Sequence, residues 1–381
     1  MESKLKKRIF IFLFIVLLLP ATQHYFPFIK SAPLNGFSPE APDVTFTLEN
    51  WWNATYQQQK SKYINDLIGF RPDLIRLNNQ LDYSLFHKLH AWKVVEGADR
   101  SIFMDTYIDA YFGRDYIGYD SMLVKMMKLK AISDTLTSLG KSLILVQTPA
   151  KEFMYPENIP KQYITRRTTT NVATCNRIGD SLNINIIDFN AWFCALKSTS
   201  KELLFTRQGA HWSVYGAYLA YDSLENYIES RRHIHMIHPK WSIIEHSSSA
   251  MGNDNDVAKT LNLIYPIAHE TFSYPVVYYP EFPGMTKPRI TYIGDSFLLL
   301  WINNGMLDHT IADWQAWQWF SILWSANSRE GNKNVQESDW IGTIDNSDCI
   351  VLAYTAFNLP VLGNGFIEKA YGHYFPDRQH Q

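Results

Sequence analysis

Cysteine is scarce in this chain: Cys175, Cys194 and Cys349 are the three in 381 residues. So few, so widely spaced, they exclude a disulfide framework and a cysteine zinc site. No signal of thiol activation sits beside any of them, so all three read as small buried hydrophobes. An excess of one charge is also missing. Thirty-five Lys and Arg against thirty-seven Asp and Glu leave a formal net charge of −2. That balance gives no basic surface for nucleic acid, and no nucleic-acid partner is expected. Charged residues amount to only 19% and hydrophobic ones to 46%, which excludes wholesale disorder. No solenoid-type repeat is visible. The apolar run at residues 9–19 holds eleven residues, short of the about 20 that a spanning helix needs.

That run nevertheless has a clear setting. Lys4, Lys6, Lys7 and Arg8 precede it and Pro20 closes it, the pattern of a signal-peptide core. No small-x-small cleavage site follows cleanly, and residues 21–29 extend the segment toward a marginal membrane anchor. Either way the basic end stays in the cytoplasm and the rest is sent outward. Residues 1–29 are therefore expected to be a signal anchor or signal peptide, with the uncleaved anchor favoured. Residues 30–90 read as a proline-containing tether followed by helices, with Leu74, Leu77, Leu81 and Leu85 at helical spacing. Residues 91–381 read as the main domain. There, helices over about 116–139 and 168–182 alternate with short apolar runs at 142–147 and 184–188. Buried runs return at 289–293 and 349–353, and a last helix covers about 365–374. This alternation argues for a doubly wound α/β sheet, whose ligands sit at the carboxyl ends of the strands. Residues 230–288 break the rhythm with short strands and clusters of Pro, Asn and Asp, and read as a small β insertion.

Two features carry chemistry. In Tyr292-Ile293-Gly294-Asp295-Ser296-Phe297 an apolar strand ends, a glycine permits a tight turn, and a serine lands where the next helix begins. There its hydroxyl is exposed at the sheet edge, and it needs a base to become nucleophilic. The plainer alternative is an ordinary helix N-cap. In Ala210-His211-Trp212-Ser213 a histidine enters the helix that starts near Val214, with Ser213 as its N-cap. It can take a proton from Ser296 and return it to a leaving group. The alternative is a half-buried histidine packed on Trp212. Ser296 as nucleophile and His211 as base are the candidate catalytic pair.

With these motifs in order, the chain resembles the SGNH-hydrolase-like polysaccharide O-acetyltransferases of the alginate (AlgX/AlgJ-like) type. In that family the His-Trp pair precedes the GDSF serine, as His211-Trp212 precedes Gly294-Asp295-Ser296-Phe297. Residues 94–109 with the following Gly113, Tyr155-Pro156-Glu157, Asn358-Leu359 and Gly363-Asn364-Gly365-Phe366-Ile367 resemble its other motifs. The likeness covers roughly residues 90–375. It implies an SGNH-hydrolase-like, mostly parallel doubly wound sheet with flanking helices and an N-terminal helical extension. It also implies a serine acyl-enzyme that transfers acetyl groups to an exported or cell-surface polysaccharide, with no cofactor. A membrane-bound O-acyltransferase partner would supply the acetyl group. The chain would stand on the periplasmic side, anchored in the inner membrane by its N-terminus.

One position departs from the pattern. The family commonly carries Asp two residues before the histidine, where it orients the imidazole; here Gly209 stands there. A carboxylate could arrive from elsewhere, with Asp188 at a strand end as a candidate; otherwise the site is a Ser–His dyad, or inactive. Asp295 reads as a turn residue, and Asn303 or Asn158 as possible oxyanion donors. Two further functions stay open: a carbohydrate acetyl esterase with water as acceptor, and a glycan-binding or assembly protein on a decayed hydrolase fold. No carboxylates or cysteines cluster near His233, His235 and His238, and Arg231 and Arg232 precede them, so no metal site is expected. Trp314, Trp317, Trp319 and Trp324 read as a sugar platform or, for Trp317 and Trp324, as helical packing.

Overall fold

Strand and helix alternate through the larger part of the chain as the apolar runs require. The computed structural model describes residues 2–36 and 41–378. Its strands are β1 (Val94–Glu96), β2 (Ile102–Met104), β3 (Ser142–Thr148), β4 (Ile186–Asp188), β5 (Lys240–Ser247), β6 (Phe272–Tyr278), β7 (Arg289–Gly294), β8 (Asp313–Gln318), β9 (Ile322–Ser325), β10 (Ser328–Asn334) and β11 (Cys349–Thr355). One seven-stranded sheet has the order β10-β9-β8-β7-β11-β3-β4. From β8 to β4 its strands are parallel, and β9 and β10 extend the other edge antiparallel. The mostly parallel α/β sheet expected from the sequence is the one observed.

Period two along the buried strands decides which core each side chain enters. Ile144, Val146, Val351 and Ala353 join Trp212, Tyr292 and Trp301 in one core. Leu143, Leu145, Ile350 and Leu352 join Met122, Met126 and Leu129 in the other. The helices Val214–Arg232 and Leu298–Asn303 contribute to the first; Tyr119–Ser138, Asn171–Leu182 and Phe366–Tyr374 contribute to the second. A sheet covered on both faces needs apolar residues at every position, which is why its central strands read as continuous apolar runs.

Two readings are corrected here. The tryptophan-rich segment is not helical: Trp314 and Trp317 lie on β8, three residues apart and hence on opposite faces, each fully buried in a different core. Burial removes both from any sugar-stacking role. Trp319 lies beyond the end of β8 with φ 52°, and Trp324 lies on β9. Of the cysteines, Cys175 and Cys349 are buried, but Cys194 is exposed. Burial pushes the Cys175 and Cys349 thiols up to about 12.

The chain divides into two units, Met1–Trp92 with Ala258–Ile267, and Lys93–Val257 with Ala268–Gln381. The first contains the helices Glu2–Tyr25, Leu48–Trp52, Thr55–Leu67 and Arg71–Phe86. Within it, Asn79 donates to the Leu261 carbonyl at 2.9 Å, and Gln80 accepts from the backbone of Ile264 and Tyr265. No helix among the described residues is long and apolar enough to cross a membrane. The apolar run at 9–19 would rise about 16 Å, against a hydrocarbon core of about 30 Å. The second unit holds the sheet, the β1–β2 hairpin, and the antiparallel pair β5–β6 that follows the helix Val214–Arg232.

Candidate active site

β7 delivers Ser296 to the carboxyl edge of the sheet. Gly294 is its last residue, paired with Ala353 of β11. A Cβ at 294 would lie 2.2 Å from the Ala353 carbonyl oxygen and 3.0 Å from Leu298 Cδ1. Backbone in a sheet ladder cannot yield that distance, so only glycine fits. We expect Gly294→Ala to destabilise the protein by about 1–3 kcal/mol, read as a lower denaturation midpoint with unchanged slope. An unaltered midpoint would contradict this packing.

Asp295 follows and is fully buried. Its Oδ2 accepts from the Thr355 N–H at 2.7 Å, the Thr355 hydroxyl at 2.8 Å and Asn358 Nδ2 at 2.9 Å, and its Oδ1 from the Phe297 N–H at 3.1 Å. Four donors tie the carboxylate into the turn, leaving it as an anchor that fixes where Ser296 points. Ser296 stands two residues ahead of the helix Leu298–Asn303.

His211 reaches this edge from a loop closed by the Phe205–Trp212 bridge. Ser213 caps the following helix, its hydroxyl accepting from the Gly216 N–H at 2.9 Å. Trp212 is fully buried, with ring centroids 5.3 Å from Phe297 and 5.2 Å from Trp301. That packing locks the neighbouring histidine, whose ring lies 4.6 Å from Phe297. His211 Nε2 is 2.7 Å from Ser296 Oγ. The structure thus brings together the two residues singled out in the sequence.

It also supplies a third. His211 Nδ1 lies 2.5 Å from Asp256 Oδ2, while the other oxygen, Oδ1, accepts from the Ala210 N–H at 3.0 Å. Asp256 opens the short helix Asp256–Thr260 between β5 and β6. A Cβ on Gly209 would meet Asp256 Oδ1 at 3.0 Å. The absent side chain at 209 leaves space that a carboxylate from 45 or more residues downstream occupies. Asp188 is not that carboxylate: it caps the helix Phe189–Leu196, accepting from the Ala191 N–H at 2.9 Å and from Asn176 Nδ2 at 2.6 Å. The sequence signal that could have found Asp256 was the run Asn253-Asp254-Asn255-Asp256, which looks like ordinary loop polarity. Asp254 belongs to the same support, accepting from the Val214 N–H at 3.0 Å and, through its carbonyl, from the Thr206 hydroxyl.

Lys151 is a second residue the sequence did not announce. Its buried ammonium donates to the carbonyls of Ile102 at 2.8 Å, Arg207 at 3.0 Å and Gly209 at 2.8 Å, holding the histidine loop from behind. Burial pushes its pKa down to about 8. Of the asparagines read as oxyanion donors, Asn303 is poorly placed. Asn303 is exposed at the far end of its helix, about 10 Å from Ser296 along the axis. The Asn158 carbonyl backs onto Gly97 beside the β1–β2 hairpin.

The electrostatics follow from this placement. Burial alone would lower the pKa of His211, but the charge and hydrogen bond of Asp256 outweigh it and raise the value above 6.5. Burial would raise Asp256, yet His211 and the backbone N–H groups of Ala210 and Val257 bring it below 3.8. An ionised Asp256 keeps the Nδ1 proton on the imidazole and leaves Nε2 free to accept from Ser296. Such a line can take a hydroxyl proton, hold a transient imidazolium, and deliver the proton to a leaving group.

Residues 116–263 match the family model described as an SGNH hydrolase-like domain, acetyltransferase AlgX. The match agrees with the resemblance carried by the motifs; it spans His211 and Asp256 and ends before Ser296. No curated protein matches the chain. Among solved structures, the O-acetyltransferase domain of Pseudomonas putida AlgJ is similar at 16% identity over 74% of this chain and 100% of its own, with a TM-score of 0.49. Pseudomonas aeruginosa AlgX is similar at 13% identity over 70% and 65%, with a TM-score of 0.43. Bacillus cereus PatB1 is similar at 11% identity over 70% and 96%, also with 0.43.

Proposed function

We propose that this chain, with its SGNH hydrolase-like segment of the AlgX acetyltransferase kind, is a polysaccharide O-acetyltransferase that works through an acetyl-enzyme on Ser296. The observation that carries the reading is the line Ser296–His211–Asp256, with contacts of 2.7 and 2.5 Å. Ser296 Oγ attacks the carbonyl carbon of an acetyl donor while His211 Nε2 takes its proton. Asp256 stabilises the resulting imidazolium. The tetrahedral intermediate collapses, and the donor's leaving oxygen receives that proton. A sugar hydroxyl then gives its proton to His211 and attacks the acetyl-enzyme, and Ser296 leaves and is reprotonated. Acetyl and polysaccharide come from the family likeness; the serine, base and acid come from the site.

The fourfold-anchored Asp295 acts on the turn rather than on the imidazole. Gly209, the feature that favoured a binding protein on a decayed fold, loses that force because Asp256 fills the space beside it. Export is supported by the basic residues ahead of the apolar run at 9–19. The catalytic unit would then stand on the periplasmic side, where a membrane-bound O-acyltransferase would hand over acetyl groups and the N-terminal helix would hold the chain at the inner membrane.

The esterase reading differs only in the acceptor, because exclusion of water from the acetyl-enzyme decides between sugar and water. The test follows acetate and acetylated sugar together. With an activated acetyl ester and cell-surface oligosaccharides, transfer predicts acetylated oligosaccharide formed at the expense of acetate. Acetate release unaffected by every oligosaccharide would establish the esterase instead.

A further inference from the structure

Far from Ser296 along the helix Val214–Arg232, a second cluster of chemistry-bearing side chains converges. Asp222, Glu225 and Glu229 are spaced by three and four residues and share one face of that helix. The helix ends at His233, which adopts φ 54°, and the chain turns back to bring His238 against the same face. His238 Nδ1 lies 3.1 Å from Asp222 Oδ1 and 3.9 Å from Glu225 Oε2, and its Nε2 lies 2.9 Å from Glu229 Oε2. The expectation that no carboxylate accompanies these histidines therefore fails for His238. His233 is spent on the helix end, and His235 stands exposed beside Glu229.

An independent observation makes the cluster more than a set of ion pairs. Glu225 is fully buried, yet neither of its carboxylate oxygens has a hydrogen-bond partner among the described residues. The nearby hydroxyls of Tyr221 and Thr310 bond to each other at 2.6 Å. The approach of Glu225 to the His238 ring, at 3.9 Å, is too long for a hydrogen bond, and a buried carboxylate without hydrogen bonds is costly. One ligand atom each from Asp222, Glu225 and His238 lies within 4.8 Å of the others, a little beyond the about 4.0–4.4 Å that two ligands of one ion with bonds of about 2.0–2.2 Å can span, so the side chains draw in by a few tenths of an ångström as the ion binds.

We propose that Asp222, Glu225 and His238 bind one divalent transition-metal ion, of the Zn²⁺ or Mn²⁺ class, apart from the proposed acetyl-transfer site. Imidazole nitrogen with carboxylate oxygen suits these ions, whereas Ca²⁺ takes oxygen ligands only. His238 binds through Nδ1, and its Nε2–H donates to Glu229, the carboxylate–histidine arrangement that orients a metal ligand. Water completes the coordination. The ion pins residues 233–238, the start of the excursion that carries Asp256, to the helix that begins just after His211. Its part is structural, and it stands whether or not Ser296 is acylated.

The test uses the full chain freed of metal with a chelator, then dialysed against ZnCl₂, MnCl₂ or CaCl₂, with bound metal read by elemental analysis and stability by thermal unfolding. Expected are one Zn²⁺ or Mn²⁺ per chain, no bound Ca²⁺, and a raised unfolding midpoint. Glu225→Gln should abolish both the binding and the rise, and without metal it should be no less stable than the wild type. Glu229→Gln should weaken binding about tenfold. Asp222→Asn provides the same reading should Glu225→Gln fail to fold by circular dichroism. Binding that survives both Glu225→Gln and Asp222→Asn, or no binding by the wild type, overturns the proposal. Ca²⁺ binding as strong as that of Zn²⁺ and Mn²⁺ overturns the assigned class of ion.

Discussion

Replacing His211 by Ala is expected to lower the rate of acetyl transfer by about 10⁴- to 10⁶-fold, and Ser296→Ala to do the same. The size follows from the chemistry. A serine hydroxyl hardly ionises near neutral pH, so its nucleophilicity depends on a base within hydrogen-bond reach, and the Nε2–Oγ contact of 2.7 Å provides it. Because the two side chains act as a unit, the double variant should be no worse than either single one. Steady-state rates with an activated acetyl ester measure all three. Losses that multiply in the double variant would mean that the residues act separately and that the contact is incidental. The substitutions should leave the fold intact, since Trp212 and Phe297, not His211 or Ser296, provide the packing on either side of the site.

Asp256→Asn is expected to cost about 10⁴-fold in turnover. Asparagine keeps the shape but offers an amide that can donate to Nδ1. The imidazole then carries its proton on Nε2, where it cannot accept from Ser296. The pH profile supplies a second signature. His211 must be neutral to act as base, and Asp256 raises its pKa above 6.5 while burial opposes. Wild-type activity should therefore fall as pH drops through a value above 6.5, and the inflection of Asp256→Asn should lie below the wild-type one, because only the smaller effect of the Asp295 charge is left to oppose burial. An unmoved inflection would remove Asp256 from the mechanism. The space at Gly209 permits a stricter version. In the wild type, Gly209→Asp should be damaging, because its Cβ already meets Asp256 Oδ1 at 3.0 Å and two carboxylates would crowd together. Combined with Asp256→Ala, the same change should recover part of the lost activity by restoring a carboxylate two residues ahead of His211.

The sheet was legible because its strands are buried on both faces. The runs at 142–147 and 349–353 have no polar interruption, and such runs sit comfortably only between two layers of helices. The Ser296 turn was legible for a local reason: strand, glycine, acid and serine are adjacent in sequence and in space. Trp317 and Trp324 misled because residues seven apart fit a helix face, and only the pairing of β8 with β7 and β9 reveals that they lie on two strands. Asp256 was hidden by distance. It lies on a five-residue helix within an irregular excursion, where no period marks one acidic residue above its neighbours. The Asp222–Glu225–His238 cluster was hidden likewise, since it exists only because the chain reverses at His233. Carboxylates three or four apart on a helix usually signal a solvated face, and it took the burial of Glu225 to set them apart.

The central claim is that Ser296 carries the acetyl group with His211 as its base, and intact-protein mass spectrometry tests it most directly. The chain from about residue 30 onward is incubated with an activated acetyl ester, and wild type is compared with Ser296→Ala and His211→Ala. The account predicts a single acetyl adduct on wild type, mapped to the peptide containing Ser296 and absent from both variants. Equal labelling of all three proteins, or no labelling of any under conditions that label a known serine esterase, would contradict it.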